Sequence, residues 1–342
     1  MYHTIEGDLS TEELAANRRD QTIDNENNRF RDETYYSSRE YHLGDIQVPL
    51  LSVANWGGIC LHLRGNVEGW TWAGSDLKYL RFITGRHDLP FYYTQEVKIQ
   101  RSFLDAFLKG EDREGWSVKG KLPPIDLVLR KGDAEVEQQY SRRTENEWPI
   151  ARTQYTNFHL TPEGKLARSL STEKQCKLSY RALGTIEEPQ LLGFETAPFE
   201  AQTEITGHAV AHLTVSVSPY ATSENVPSDI DLFVTLRHIS PLGREIHYTG
   251  TAGDPVPLTK GWLRVSLRKT DPAHWKHRPW LPYRHYTSND VQPVIVGELY
   301  AVDVEIWPTN VVVEAGGKIV FEIASGDTQG SGVFVHTSPR DR

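Results

Sequence analysis

The sequence predicts an α/β segment followed by an all-β segment, and three observations carry that reading. Two short apolar runs in the first third, each ending at glycine, alternate with stretches of helical periodicity. From about residue 125 the apolar residues recur at every second position. Clusters of Pro, Gly and Asp punctuate these later runs, as turns between short strands require. A chain of 342 residues is also long enough for two domains.

Residues 1–45 are polar and acidic and hold too few apolar side chains for a core. A short helix is expected after Ser10 or Thr11, with Glu13 placed to close a capping box. The segment otherwise reads as an acidic cap remnant or a disordered stretch. The run IQVPLLSVANW then ends at Gly57-Gly58 and suits a strand buried on both faces. A helix is expected near Val67 to Ser75, and LKYLRFITG is a second strand ending at Gly85. From Thr94 to Leu108, Val97, Leu104 and Leu108 form one helical stripe, with Ile99, Phe103 and Phe107 beside it. Gly110 is the expected cap. Strand, helix, strand, helix is the unit of a parallel sheet, but two strands are too few for one. The α/β unit at 46–124 therefore reads as incomplete.

In the β segment, 125–342, alternation runs through Ile205 to Val217, Ile230 to Leu236, Val302 to Ile306 and Ile319 to Ile323. A β-sandwich or jelly roll is expected. Lys plus Arg number 37 against 46 Asp plus Glu, a net charge of −9, which argues against nucleic-acid or anionic-membrane partners. Cys60 and Cys176 are far apart and fit no zinc spacing, so reduced thiols and a cytoplasmic location are expected. No cofactor and no metal are expected.

The chemistry-bearing candidates are few. His87 lies in the loop that follows the second strand, where α/β enzymes place reacting groups, and imidazole titrates near neutrality. His274 and His277 have half of a metal-site spacing, yet the stretch HWKHRPW reads as a structural loop. Trp275, Trp280, Tyr283 and Tyr286 read as packing aromatics. Gly330-Ser331-Gly332 reads as a turn rather than a phosphate loop.

Several stretches together resemble the CocE/NonD serine hydrolases, the cocaine-esterase-like and X-Pro dipeptidyl-peptidase-like group. They are VPLLSVANWGG, LHLRGNVEGW, the His87 loop with RSFLDAFLKGEDREGW, ENEWPIARTQYTNFHL, GWLRVSLRKTDP with RPW, and VDVEIWPTNVVVEAGGKIVFEIASGD. They run from about residue 48 to 328. The resemblance implies the C-terminal part of an α/β-hydrolase domain followed by a jelly-roll, galactose-binding-like β-sandwich. It implies ester or X-Pro amide hydrolysis by a Ser-His-Asp triad, with His87 as the triad histidine. No Gly-x-Ser-x-Gly elbow is present. Where many members carry the triad acid, just past the strand-ending Trp, Gly57-Gly58 stands after Trp56. Glu68 or Asp88 are the substitutes to weigh. A triad without its serine keeps only about 10³–10⁴-fold acceleration, so the chain is expected to be inactive alone. A small ester or peptide substrate is expected only when a nucleophile-bearing half completes it. An oligomer is possible, and a non-catalytic jelly-roll binding or docking module is the alternative.

Overall fold

The computed structural model describes residues 9–131, 140–169, 176–182, 184, 188–219 and 226–328. The Gly330-Ser331-Gly332 turn lies outside the described residues. Three short helices open the chain: α1 (Thr11–Asn17), α2 (Gln21–Asn27) and α3 (Thr34–Ser37). Ser10 and Glu13 close the expected capping box on α1, satisfying two backbone donors that a helix start leaves open. This leading segment lies on the β part rather than trailing free. Arg31 N donates to Tyr286 O at 2.9 Å, and Asp32 accepts from both the backbone and the hydroxyl of Ser288.

The α/β unit follows as β1 (Leu50–Asn55), α4 (Leu63–Trp72), β2 (Lys78–Ile83) and α5 (Thr94–Leu104). Strands β1 and β2 pair in parallel, as the apolar runs require. The sheet does not stop at residue 124, however. β3 (Ile125–Val128) adds in parallel to β2, and β4 (Arg142–Glu145) adds antiparallel to β3. The sheet order is thus β1-β2-β3-β4. Residues 125–128 and 142–145, expected in the β segment, thus pair in the same sheet as β1 and β2: four residues of β3 are too short to announce a strand by alternation, and only tertiary pairing assigns them.

The two helices cover opposite faces. Ala54, Trp56, Leu80, Phe82, Ile125 and Leu127 pack with Leu63, Val67 and Trp70 of α4. Tyr79 packs on the other face with Trp116, Ile99, Phe103 and Phe107. So the Ile99 stripe of α5 is the inward one. Val97, Leu104 and Leu108 face solvent. A π-helical turn, Asp105–Lys109, extends α5, and Gly110 ends it with a left-handed φ of 73°.

The β part consists of β5 (His159–Leu160), β6 (Lys165–Ala167), β7 (Leu191–Thr196), β8 (Thr203–Val215), β9 (Asp231–Ile239), β10 (Glu245–Ile246), β11 (Tyr248–Thr249), β12 (Pro255–Val256), β13 (Thr259–Arg264), β14 (Tyr300–Val313) and β15 (Lys318–Ala324). One sheet runs β10-β9-β15-β7-β6-β5, with β13 also on β9. A second is the long β14-β8 pair, whose register slips between Ile306 and Thr309, and β11 pairs with β12 in a small third sheet. The alternating apolar residues of both sheets meet in one core, including Leu213, Leu232, Val234, Leu263, Val302, Val304, Phe321 and Ile323. That is the reason for the period of two where a strand buries one face; β14 departs from it from Pro308 to Val313, a run buried on both faces.

Many contacts tie this part to the α/β unit, among them the Arg143–Glu204 pair and the following three. Arg130, 1% exposed, leaves β3 and inserts under β14: Nε donates to Asn310 O at 2.9 Å, and Nη2 donates to Thr309 Oγ1 at 2.7 Å and Leu258 O at 3.2 Å. Its guanidinium also lies over the Tyr248 ring at 4.3 Å and the Trp56 ring at 5.6 Å. Arg64 of α4 grips Glu305 of β14 with two hydrogen bonds, 2.7 and 3.0 Å. Trp148 Nε1 donates to His208 Nε2 at 3.0 Å. Burial, and then Arg64, pushes the His208 imidazole down to about 3, so it stays a neutral acceptor. Among the described residues no helix is long and apolar enough to cross a membrane.

Candidate functional site

Strand ends β1 and β2 point the same way, so the loops after them meet. Asn55, the last residue of β1, is buried and joins the two: its amide donates to Gly85 O at 2.8 Å, and its carbonyl oxygen accepts Gly57 N at 2.8 Å. Trp56 continues the strand, with its backbone N on Ile83 O at 3.0 Å and its indole N–H on Val128 O at 3.0 Å. This clamp sets the start of the His87 loop.

His87 itself is exposed at the tip of that loop. Its backbone N–H donates to Thr251 O at 2.9 Å, so the β part fixes where the histidine sits. The side chain of Arg86 lies against Gly253 of the same β-part loop. The nearest ring is His62, just before α4, with centroids 4.9 Å apart and planes at 51°. No carboxylate is hydrogen-bonded to the His87 ring among the described residues.

The substitute acids are engaged elsewhere. Asp88 pairs with Arg86 at 3.4 Å. Glu68 accepts the indole N–H of Trp72 at 2.7 Å; burial pushes its carboxyl up, opposed by the neighbouring Arg64. Gly57 and Gly58 differ in kind. A Cβ on Gly57 would stand 1.9 Å from Thr249 O, so the close approach of β11 demands glycine there. A Cβ on Gly58 would meet Asn55 O at 3.1 Å, a contact that a small shift relieves. The strand end therefore tolerates a Cβ at one position and not at the other.

The remaining candidates behave as structure. His274 Nδ1 accepts Lys276 N at 3.2 Å while its ring stacks on Tyr283 at 3.7 Å. His277 Nδ1 accepts Tyr283 N at 3.3 Å. Among the described residues no group of three or more His, Cys, Asp or Glu could hold a metal ion. Trp275 packs edge-on to Trp72, and Trp280 stacks on Tyr155. A cavity of about 210 Å³ lies beside Trp72 and Trp275, lined also by Glu40 to Gly44 and Lys276, and none of its lining comes from the His87 loop. Cys60 is half-buried, Cys176 exposed, and neither is in a disulfide. Burial pushes the Cys60 thiol up to about 11, which makes it a poor nucleophile.

Sequence reasoning missed Asn55, His62 and Arg130. Asn55 carried one usable signal, a polar residue closing an otherwise apolar strand. His62 and Arg130 act through residues distant in sequence and carried none.

With this geometry established, comparison with known proteins places the chain. Residues 118–342 match the family described as the X-Pro dipeptidyl-peptidase C-terminal non-catalytic domain. A candidate serine esterase of Mycobacterium bovis is 26% identical over 156 residues, covering 46% of this chain and 22% of its own length. A relative in Mycobacterium tuberculosis matches equally. The crystal structure of a CocE/NonD family hydrolase from Staphylococcus aureus superposes with a TM-score of 0.76 at 20% identity, covering 94% of this chain and 53% of that one. An α-amino acid ester hydrolase structure shares the fold at a TM-score of 0.60 and 14% identity, with 53% of that chain covered. The chain thus spans well under two thirds of the length of these relatives. It belongs to the X-Pro dipeptidyl-peptidase C-terminal domain family, and what it matches is the C-terminal portion of CocE/NonD-type hydrolases.

Proposed function

We propose that this chain is the histidine-bearing C-terminal part of an acyl hydrolase acting on esters or X-Pro amides, and that it has no turnover alone. On this reading residues 9–45 are a cap remnant, the unit from 46 to β4 is the end of an α/β-hydrolase domain, and the β part is a jelly roll. The observation that carries it is the placement of His87: an exposed imidazole in the loop at the carboxyl end of a parallel strand, its backbone held there by Thr251 of the β part. An imidazole there suits a general base that takes a serine proton and returns it to the leaving group. The chain supplies no serine elbow for it to serve. The oxyanion-hole donors of this fold also lie beside the nucleophile and on an earlier strand loop, so they too belong to the other half.

The test is direct. The purified chain is incubated with a fluorophosphonate probe, a p-nitrophenyl ester and an X-Pro p-nitroanilide. Neither stoichiometric serine labelling nor turnover above buffer is expected, and labelling of one serine per chain overturns the proposal. A second reading, a docking module without catalysis, is favoured by the non-catalytic description of the matched family, whose match excludes His87. His87→Asn in a reconstituted enzyme separates the two: at least a thousandfold loss of turnover supports the first, and unchanged turnover the second.

A further inference from the structure

We infer that the cavity beside Trp72 and Trp275 is a binding site for a small aromatic carboxylate, separate from the His87 loop and independent of the reading of function above. It lies at the far end of α4 from that loop. His62 precedes the helix and Trp72 ends it. A helix of ten residues spans about 15 Å.

Two firmly held walls make the cavity. One is the segment 40–44, packed on the turn after α4. Gly44 O accepts Gln47 Nε2 at 2.6 Å, and a Cβ on Gly74 would stand 2.1 Å from the same oxygen. The other wall is the loop that carries Trp275 and Lys276. Its Asp271 N donates to Tyr283 O at 2.9 Å, and the His274 ring stacks on Tyr283 at 3.7 Å. Arg31 Nη1 donates to the Tyr283 hydroxyl at 3.2 Å, which ties the two walls together. Walls that are fixed beforehand lose little freedom on binding. A volume of about 210 Å³ suits one ring with a short substituent, since a cavity of about 150 Å³ takes a benzene.

The side chains set the ligand chemistry. The Trp72 indole N–H is given to Glu68, which leaves its ring for stacking. Trp275 meets that ring edge-on at 4.8 Å and is itself 57% exposed. A flat ring laid between them would bury aromatic surface that now faces water. Lys276 Nζ lies 5.1 Å from the Trp275 ring and 5.6 Å from the Trp72 ring, and the Arg278 guanidinium lies 5.4 Å from the Trp72 ring. Neither cation makes an ion pair among the described residues. Arg278 Nη1 donates to Trp275 O and His277 O, whereas the Lys276 ammonium makes no hydrogen bond among the described residues. Glu40 and Glu68 feel the Lys276 charge without reaching ion-pair distance. Glu40, the carboxylate on the lining, gives both of its oxygens to Arg31. The local field is therefore positive. An anion carried on an aromatic body answers both the rings and Lys276, and a cationic ligand would meet two like charges.

The experiment uses the full chain, with benzoate as probe, benzyl alcohol as its neutral counterpart and acetate as the anion without a ring. Magnetic-resonance titration of the indole N–H signals should give saturable one-to-one benzoate binding with a dissociation constant of about 1 mM or below. The shifts should centre on Trp72 and Trp275. Benzyl alcohol and acetate should each bind at least tenfold more weakly. Trp275→Ala should weaken benzoate at least tenfold. Lys276→Met should weaken benzoate at least fivefold and leave benzyl alcohol unchanged. Melting temperatures check that both variants fold; if either does not, the indole shifts of the unmodified chain decide. His87→Asn should bind benzoate as the parent chain does, which separates this cavity from the loop where an ester would release its carboxylate. No saturation by about 10 mM benzoate, shifts away from Trp72 and Trp275, equal affinity for benzyl alcohol, indifference to Trp275→Ala or to Lys276→Met, or loss of binding in His87→Asn overturns the inference.

Discussion

Arg130 is the side chain whose loss should separate the two halves of this molecule. Its guanidinium reaches Asn310 O, Thr309 Oγ1 and Leu258 O and lies on the rings of Tyr248 and Trp56. Replacement by Met keeps most of the stem volume and removes these hydrogen bonds. Hydrogen bonds to a charged group contribute about 1.5–3 kcal/mol each, though not additively. A desolvated cation over aromatic rings adds up to about 2 kcal/mol. Against this stands the relief of a buried charge, which offsets several kcal/mol. The net expectation for Arg130→Met is a loss of about 2–4 kcal/mol. Lys restores the charge but not the fork, so Arg130→Lys should recover less than half of it. Urea unfolding followed by tryptophan fluorescence measures this, because Trp56 and Trp148 belong to the α/β core whereas Trp262 packs in the β part. The variant should unfold in two steps, the α/β unit first. A single transition within about 0.5 kcal/mol of the parent protein would refute the view that Arg130 holds the halves together.

Other side chains make equally definite predictions. Gly57→Ala should cost about 2–3 kcal/mol, since its Cβ would press on Thr249 O, while Gly58→Ala should change the melting temperature little; equal effects would contradict the packing. Lys260, 1% exposed, donates to Asp327 at 2.9 Å. Lys260→Met alone should cost about 3–5 kcal/mol by leaving a buried carboxylate without its cation, and adding Asp327→Leu should recover most of that loss in chemical denaturation. Hydrogen bonding from Lys269, aided by Thr287 and opposed by burial, lowers the Asp290 carboxyl to about 2. Its folded-state value is thus below the unfolded one, so its contribution is present above about pH 4 and is lost as pH falls toward 2. Asp290→Asn should flatten the fall in stability between pH 4 and 2 relative to the parent chain, and parallel curves would rule this out.

The legible parts of this protein are those set by local rules. Ser10 and Glu13 announced their capping box, Gly110 its helix end, and the alternation from Ile205 to Val217 its strand, because each depends on residues close in sequence. The α5 helix was legible in period but not in orientation. Its two apolar stripes are alike in sequence, and only contact with Tyr79 and Trp116 selects Ile99, Phe103 and Phe107 as the inward one. Strand β3 was hidden for the same reason: its pairing with Leu80 and Arg81 lies more than forty residues away. The place of His87, in the loop after β2, was legible from the apolar run before it. Its support was not, since Thr251 and His62 reach it through the fold.

The two glycines after Trp56 bear most directly on why, among the described residues, no carboxylate is bonded to His87. Gly57 is dictated by packing, because the β11 carbonyl at Thr249 occupies the space a side chain needs. Gly58 is less constrained, since the tightest contact of a Cβ there is Asn55 O, at 3.1 Å. The contact that seats the β part on the strand end therefore does not by itself exclude a carboxylate beside the His87 loop. With no carboxylate bonded to the imidazole among the described residues, its orientation relies on loop anchoring, and the bond at His87 itself is the backbone hydrogen bond to Thr251. If His87 acts as a base in a completed enzyme, the β part positions it through that bond. Gly253→Pro, which perturbs the 249–254 loop without touching the histidine, should then lower kcat at least tenfold and leave KM within about twofold. Equal changes in both constants would mean that the loop shapes substrate binding and not the base.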